Sequence, residues 1–487
     1  MAYSSLLSLS LCFLVVFRGC LAQIEQGSEQ LQRRQQQHRF ETECRLDSIN
    51  PQEPTIRLES EAGLTEYWNP NDDQFQCAGV TLVRHNIQRR GLLLPSYSNA
   101  PQLIYVVQGT GLHGAAMPGC PETFESESSS QFRGEQRAQQ RGRDQHQKVR
   151  QIREGDILAM PAGVAHWIYN DGESPLILVA LLDTSNPANQ LDENARKFYL
   201  AGNPHQRQQG GGQRLRDERE RERWGRRQSR RGQQQQRGGN IFSGFDEEIL
   251  ADAFNIDSEL ARRMQNQNDQ RGNIVRVEGE LRVLSPQRQA REQEERIFGT
   301  RDNGLEETIC TMRLRHNIAD PQRADVYNPR GGRITSLNRL NLPILAYIRL
   351  SAERGVLYRN AIMAPHYNLN SHSVIYIIRG NGRLQIVGDY GQNVFDGQVQ
   401  EGQALTVPQN FAVLKKAGNQ GLEWVAFKTC DNAMINPLAG RLSTMRAIPV
   451  DVLMNSYRID REEAKRLKFN REESTLFSSE SASRRLD

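Results

Sequence analysis

The segment PQLIYVVQGTG at residues 101–111 recurs as HSVIYIIRGNG at residues 372–382. A second pair follows: GDILAMPAGVAHWIYN at 155–170 and, as a weaker echo, GQALTVPQNFAVLKKA at 402–417. Each segment places runs rich in β-branched residues between Gly and Pro, which is the pattern of strands joined by tight turns. Because the segments keep their order, the repeat predicts two copies of one antiparallel β unit in the chain.

A helical segment closes each copy. FNID at 254–257 precedes SELARRM, and YRID at 457–460 precedes REEAKRL. In both copies an Asp or Ser is positioned to cap a helix whose acidic residues come before its basic residues, the order that the helix dipole favours. We therefore predict a mainly β fold of two jelly-roll β-barrels, each followed by a small helical arm.

The first copy is longer than the second, and its additional residues fall in polar stretches at about 122–147 and about 204–240. These stretches bury too little apolar area to offset the entropy of ordering them, so we expect disordered surface loops. A third polar stretch, 265–303, is expected to link the two halves. The predicted organisation is then an N-terminal domain at 23–264, this linker, and a C-terminal domain at 304–487.

The N-terminus, MAYSSLLSLSLCFLVVFRGCLAQ, is an apolar run that ends in small residues. It predicts a signal peptide of residues 1–22, cut between Ala22 and Gln23. No later apolar run approaches the ~18–20 residues that a membrane span needs. The net charge is +4 over 487 residues, which favours neither nucleic-acid binding nor membrane attachment. We expect the mature protein to be soluble.

Five of the seven cysteines remain after signal cleavage, because Cys12 and Cys20 leave with the signal peptide. The secretory route is oxidising, so two disulfides and one remaining cysteine are expected. The sequence alone does not determine how the five are paired.

The tract RLRDERERERWGRRQSRRGQQQQRGG at residues 214–239 is the best candidate for a different function. Arginines beside an aromatic residue can bind phosphate and stack on bases, so an anionic partner is one interpretation. Acidic residues alternate with the first arginines, however, and a secretory compartment holds little nucleic acid. A solvated loop is the interpretation that we favour, with no nucleic-acid partner.

The octapeptide NGLEETIC at residues 303–310 lies directly behind the polar linker. An Asn-Gly pair favours an exposed turn, because Gly takes positive φ without penalty and Asn tolerates it, so a protease can reach the bond. Cys310 is close enough to that bond that a disulfide to an upstream cysteine would hold the two products together. The segment has the features of a processing site.

NGLEETIC and the longer segments CAGVTLVRHNIQ, GLLLPSYSNAPQLIYVVQG and HQKVRQIREGDILAMPAGVAHWIYN resemble the legumin-type (11S) seed storage globulins of the cupin superfamily. The resemblance extends from Cys44 to about Arg461. It implies that an asparaginyl endopeptidase cuts between Asn303 and Gly304, giving an acidic and a basic chain. It also implies a disulfide between Cys44 and Cys77 and a second one between Cys120 and Cys310, which leaves Cys430 outside the bridges.

The resemblance further implies a seed storage protein that is a nitrogen and amino-acid reserve. The family forms a homotrimer as the precursor in the endoplasmic reticulum and a hexamer after cleavage in the protein storage vacuole, and many members are food allergens. The composition agrees with this, since seven of the 62 cationic residues are Lys and the other 55 are the nitrogen-rich Arg. Vicilin-like globulins share the bicupin fold and are the nearest alternative.

The spacing Gly155-x5-Pro161-x-Gly163-x2-His166-x3-Asn170 matches the second cupin motif, whose His is a metal ligand in some members. Aligning IYVVQG with IYIIRG assigns the ligand positions of both copies: Pro95, Tyr97, Gln102 and His166 in the first, and His366, Asn368, Ser373 and Val413 in the second. One imidazole per barrel is too few for a catalytic metal, which needs about three protein ligands. We expect no enzyme, no metal and no cofactor; a bicupin with a small-ligand or metal-binding role is the alternative.

Overall fold

The computed structural model describes residue 44 and residues 46–117, 148–203, 239–265, 268–279, 281 and 312–478. Antiparallel strands form two barrels, and helices follow each of them, which confirms the predicted mainly β fold. The expected surface loops at 122–147 and 204–240 lie almost wholly outside the described residues.

The first barrel consists of two facing sheets, one in the order β1-β2-β3-β10-β5-β8-β13 and the other in the order β11-β4-β9-β6-β7, with β12 also paired to β4. The strands are β1 (Ile56–Ser60), β2 (Gly63–Tyr67), β3 (Val80–Ile87), β4 (Gly91–Ser98), β5 (Gln102–Gln108), β6 (Thr110–Ala116), β7 (Lys148–Arg153), β8 (Asp156–Met160), β9 (Ala165–Tyr169), β10 (Leu176–Asp183), β11 (Lys197–Tyr199), β12 (Ile274–Arg276) and β13 (Arg315–Asn317).

The second barrel is built around two long strands, β18 and β21, which pair with each other along most of their length. Its strands are β14 (Val326–Asn328), β15 (Gly332–Leu337), β16 (Ser351–Leu357), β17 (Ile362–Asn368), β18 (Ser373–Val387), β19 (Asn393–Gln400), β20 (Ala404–Val407), β21 (Ala412–Lys428), β22 (Ile435–Pro437) and β23 (Leu476–Phe477). β16 is buried along its whole length, so both of its faces pack against protein.

The helices are α1 (Asp73–Ala78), α2 (Glu247–Phe254), α3 (Ser258–Gln265), α4 (Leu345–Ile348), α5 (Thr444–Ala447), α6 (Val450–Tyr457) and α7 (Arg461–Phe469), and short 3-10 helices lie at Ile241–Gly244 and Pro321–Arg323. In the described part of the chain, no helix is long and apolar enough to cross a membrane.

In each helical arm the first helix ends, and the second helix begins, with the same kind of cap, as the repeat predicts. Asn255 directly follows α2 and Arg458 directly follows α6, and both residues adopt the left-handed conformation. Asp257 then accepts a hydrogen bond from the Leu260 N–H, and Asp460 forms a capping box with Glu463. Side-chain caps of this kind satisfy backbone N–H groups that a helix start leaves without partners.

The second half of the chain contributes a strand to the first barrel. β13 pairs with β8, and the side chain of Asp156, which is fully buried, accepts hydrogen bonds from Arg315 Nη1 (3.0 Å) and Asn317 Nδ2 (2.8 Å). Leu314 and Ile318, on either side of β13, join the core of the first barrel.

The first half of the chain also contributes residues to the second barrel. Ile49 N–H donates to the Val394 carbonyl (2.8 Å), and Gln52 exchanges two backbone hydrogen bonds with Ala404. Leu46 and Ile49 are buried in the core of the second barrel.

A disulfide holds the segment around Ile49 in place. It joins Cys44 to Cys77 of α1, and Gln74 on the same helix accepts a hydrogen bond from the Thr406 N–H of β20 (2.9 Å). The two halves are therefore interlocked through residues near the beginning of the first half and the beginning of the second.

Strand β12 lies inside the stretch 265–303 that the sequence predicts to be a polar linker. Ile274 and Val275 of β12 are buried in the first barrel, and Asn273 hydrogen-bonds to Ser60 and Thr65. A short apolar pair inside a polar stretch is enough to form an edge strand when a partner strand is present, and the sequence pattern did not reveal that partner.

If the chain is cut with asparaginyl endopeptidase and all disulfides are reduced, we expect the two products to remain in one particle. The reason is that β13 and the segment around Ile49 each lie in the barrel of the other product. Native mass spectrometry after cutting and reduction measures this. The same sample in guanidinium chloride above the unfolding midpoint is the control and should show two separate chains. Two species under native conditions would contradict the interlocking.

Candidate functional site in the barrel interiors

The first barrel brings His166 of β9 against Gln102 at the start of β5, with the Gln102 amide nitrogen 2.8 Å from His166 Nε2. The other two predicted positions, Pro95 and Tyr97, are wrong. Both are half-exposed, and the Tyr97 ring stacks on Phe198 with centroids 5.0 Å apart. The polar residues of β4 that are buried are Ser96, which is paired with His166, and Ser98.

The error is a shift of one residue in the alignment. Ser96 of β4 is paired with His166, and His366 of β17 is paired with Val413, the counterpart of His166, so β4 and β17 are offset by 270 residues. The offset between β5 and β18 was 271, because the turn before β5 is one residue shorter. A strand alternates its faces at every residue, so a slip of one exchanges the buried face for the exposed one.

The interior of the first barrel is rich in imidazole. The rings of His113 and His166 lie with centroids 5.6 Å apart, and both side chains are buried. Among the described residues, His113 Nε2, His166 Nδ1 and Gln102 Oε1 have no hydrogen-bond partner. Burial lowers the pKa of His113 to about 4, and burial together with His113 and Lys197 holds the pKa of His166 well below its ordinary value. Both rings are neutral at pH 7.

A second polar group lies beside this pair. His85 Nδ1 is 2.9 Å from Thr65 Oγ1, and Lys197 Nζ is 3.3 Å from His85 Nε2. Burial lowers the pKa of Lys197 to about 8, so it is mostly protonated at pH 7. The first barrel therefore contains an ammonium group among neutral imidazoles, an arrangement that repels a metal cation.

In the second barrel the predicted positions do come together. His366 is paired with Val413 of β21, and Ser373 is paired with Lys428. His366 Nδ1 donates to the Ala364 carbonyl at 2.8 Å, and Asn368 Oδ1 accepts from Lys428 Nζ at 2.8 Å. A lysine ammonium thus lies against the residues that would surround a metal ion in a metal-binding cupin.

The donor sets of both barrels do not fit a metal ion. The first offers Ser96, Ser98, Gln102 and His166, and the second offers one imidazole beside an ammonium group. No cluster of three His, Cys, Asp or Glu side chains suited to a metal is found within the described ranges. Divalent transition metals prefer several imidazole, thiolate or carboxylate ligands, which neither set provides.

Sequence comparisons place this geometry in a family. The family model described as Cupin matches residues 48–206 and 316–465. An 11S globulin seed storage protein of Carya illinoinensis is 52% identical over 509 residues, covering 100% of this chain and 99% of the relative. The chain belongs to the 11S globulins of the cupin family.

Two solved 11S structures superimpose closely. The recombinant pro-11S globulin of pumpkin has a TM-score of 0.74 at 50% identity and covers 89% of this chain and 99% of its own. The coconut allergen cocosin has a TM-score of 0.74 at 47% identity, covering 90% and 100%. A vicilin of Capsicum annuum has a TM-score of 0.62 at 14% identity, which shows the shared fold alone.

Other site residues expected of an 11S globulin lie outside the described residues. They are the processing pair Asn303 and Gly304, the signal-cleavage pair Ala22 and Gln23, and the cysteines Cys120 and Cys310. Cys430, by contrast, is one of the described residues. It is half-buried, and its sulfur accepts a hydrogen bond from Asn370 Nδ2 at 3.4 Å.

Sequence reasoning missed the charged residues inside the second barrel of this 11S globulin. Glu353, Lys415 and Lys428 are all buried. A signal was present, since Lys is rare in this chain and Lys428 ends the otherwise apolar run WVAFK. The pattern did not show whether the ammonium group faced the interior or the solvent.

The neutral histidines predict a loss of stability in acid that His113→Gln should reduce. The pKa of His113 is about 4 in the fold against about 6.5 when unfolded, so between these values the unfolded chain binds the proton first. Stability therefore falls as the pH drops from 6.5 towards 4, and His113 accounts for about 2 kcal/mol of that loss at pH 5.

Denaturant unfolding at pH 7 and pH 5, for the native protein and for His113→Gln, measures this. The free energy of unfolding of the variant should change less between the two pH values. Equal changes in the two proteins would show that His113 is not a buried neutral base.

Proposed function

We propose that this 11S globulin is a seed storage protein that serves as a nitrogen and amino-acid reserve. The observation that carries the proposal is the 52% identity to a seed storage globulin over the full length of both chains. The preponderance of Arg over Lys and the Gln-rich tracts support it, because they raise the nitrogen content per residue. The donor sets of the barrels do not favour a metalloenzyme.

The proposal includes a precursor that is cut between Asn303 and Gly304 by an asparaginyl endopeptidase. The acidic chain, 23–303, and the basic chain, 304–487, would stay linked through Cys120 and Cys310. The interlocked barrels support such processing, because a cut between them leaves each chain held by a strand or segment of the other. A solved relative is described as a pro-11S globulin.

The proposed route begins at the signal peptide, cut between Ala22 and Gln23, and runs through the endoplasmic reticulum to the protein storage vacuole of the seed. We also propose that the protein is a food allergen, because one relative is described as a coconut allergen.

Self-association into a homotrimer and then a hexamer is the proposed assembly. Both helical arms expose large apolar side chains at equivalent positions of the repeat. Ile249 and Phe254 in α2 are 68% and 50% exposed, and their counterparts Val452 and Tyr457 in α6 are 49% and 55% exposed. Exposed apolar groups on both arms suit a ring in which one arm of each protomer packs against the next protomer.

Two alternatives are less well supported. A vicilin-like globulin agrees with the fold, but the vicilin similarity is 14% identity against 52% for an 11S relative. A bicupin with a metal-binding role conflicts with the ammonium groups beside the candidate ligands. A small-ligand role for the bicupin is compatible with storage.

Asn303→Gln should abolish processing. The chain contains a second Asn-Gly pair, Asn381 and Gly382, which lies within β18 and is paired to β19. A protease needs an accessible extended segment, so this pair should remain intact. Asn381→Gln is therefore the matched control.

Mass spectrometry after reduction, on protein treated with asparaginyl endopeptidase, distinguishes the two variants. Asn303→Gln should give one chain, whereas Asn381→Gln should give chains ending at 303 and beginning at 304. Normal cleavage of Asn303→Gln would overturn the proposed site.

A charge on the exposed arms should weaken self-association. In the double variant Ile249→Asp and Val452→Asp, we expect the dissociation constant of the oligomer to rise at least about tenfold, or ~1.4 kcal/mol in binding free energy. Tyr390→Asp is the control, since Tyr390 is 90% exposed but lies in the turn after β18. Analytical ultracentrifugation measures both, and an unchanged constant in the double variant would exclude the arms from the contact.

A further inference from the structure

The interior of the second barrel contains more positive than negative charge. Lys415 and Lys428 of β21 are 2% and 4% exposed, and the carboxylate that faces them, Glu353 of β16, is 5% exposed. Glu353 Oε2 lies 3.9 Å from Lys428 Nζ, and Glu353 Oε1 accepts from Trp424 Nε1 at 3.4 Å. One carboxylate thus serves two buried ammonium groups.

Lys415 has weak partners. Within the described residues, its Nζ donates to Met363 Sδ at 3.6 Å and lies 5.0 Å from the centroid of the Trp424 ring. A thioether sulfur is a weak acceptor, and the face of an aromatic ring compensates a buried cation only in part. Asn368 Nδ2, a buried donor beside Lys428, has no hydrogen-bond partner among those residues.

The protonation states leave a net charge of about +1 at pH 7. Burial raises the pKa of Glu353, but Lys428, Lys415 and His366 outweigh this and lower it, so the carboxylate is ionised. Burial lowers the pKa of Lys428 and Glu353 partly offsets this, so Lys428 stays protonated. Burial, with Lys415, lowers the pKa of His366 to about 3, so this ring is neutral. Burial lowers the pKa of Lys415 to about 8, which leaves it mostly protonated. An uncompensated buried charge is costly, and a bound anion would offset that cost.

A cavity of about 390 Å³ extends from the surface to the charged side chains of Glu353 and Lys428. Glu353 and Lys428 line it, together with the hydroxyl-bearing Ser336 and Ser351 and the aliphatic Ile334 and Ile435. Leu442, which is 68% exposed, also lines it, so the cavity opens to solvent. Its chemistry combines a cationic end with an apolar wall.

We propose that this cavity binds a small aliphatic monocarboxylate, whose carboxylate accepts a hydrogen bond from Lys428 Nζ and whose hydrocarbon chain lies along Ile334 and Ile435. A single negative charge matches the excess of one ammonium group. The positive charge of Lys415 also attracts the ligand's carboxylate. Glu353 weakens the attraction, because its negative charge lies beside the same Lys428 ammonium group. The inference does not depend on the storage role or on processing at Asn303.

Butyrate is the probe, and butyramide, which is neutral and of nearly the same shape, is its control. Isothermal titration of the intact protein at pH 7 should show one site per chain for butyrate and no binding for butyramide. If butyrate does not bind, or if both compounds bind equally, the carboxylate site does not exist.

Variants test the role of charge. Lys428→Met should weaken butyrate binding at least about tenfold, because it removes a charged hydrogen-bond donor. Glu353→Gln should tighten binding about three- to tenfold, because it frees Lys428 and raises the local positive charge. Lys416→Met, in the same strand but exposed, should leave the affinity unchanged.

A Lys428→Met protein that binds butyrate like the native one, or a Glu353→Gln protein that binds it more weakly, would overturn the proposal.

The pH dependence of butyrate binding to the native protein gives a further test that needs no variant. The groups that face Lys415 are Glu353 of β16, His366 of β17 and Lys428 of β21. As the pH rises through about 8, Lys415 loses its proton, so butyrate binding should weaken between pH 7 and pH 9. An affinity that stays constant over that range would contradict the charge argument.

Discussion

The pairing of β13 with β8 is the contact on which the arrangement of the two halves depends. Asp156 is buried at that junction and accepts hydrogen bonds from Arg315 and Asn317. Removing these partners would leave a buried carboxylate poorly satisfied, which is strongly destabilising. The junction therefore fixes the start of the second half on the first barrel, while the segment around Ile49 fixes the first half on the second barrel. Each half therefore contributes to the barrel of the other half.

The interiors of the barrels explain why this cupin scaffold is a poor host for a metal ion. The first barrel contains neutral imidazoles beside Lys197, and the second places Lys428 against Asn368. In each case an ammonium group lies near the residues that would otherwise surround a metal ion. Such positive charge disfavours a metal cation and attracts anions instead.

The internal repeat explains why the two halves have similar strands and helical arms. Small differences in turn length between the copies explain why equivalent positions can carry different residues. The arms match down to the left-handed residues Asn255 and Arg458. The turn before β5 is one residue shorter than the turn before β18, and this single deletion was enough to exchange Ser96 and Ser98 for Pro95 and Tyr97 in the aligned ligand set. Positions near a turn are therefore the least secure part of any prediction made from a repeat.

The residues alone predict the repeated strand pattern, the helical arms and the single imidazole at the ligand positions of each barrel, His166 and His366. Each of these follows from local periodicity, capping residues or the identity of a side chain, all of which can be read along the chain. Contacts across the fold, by contrast, place β12 and β13 in the first barrel and bring Glu353, Lys415 and Lys428 together inside the second. A short strand is stable only beside its partner, and a lysine's environment depends on which face of a strand is covered. Both are set by contacts between residues far apart in the chain, which no local pattern contains.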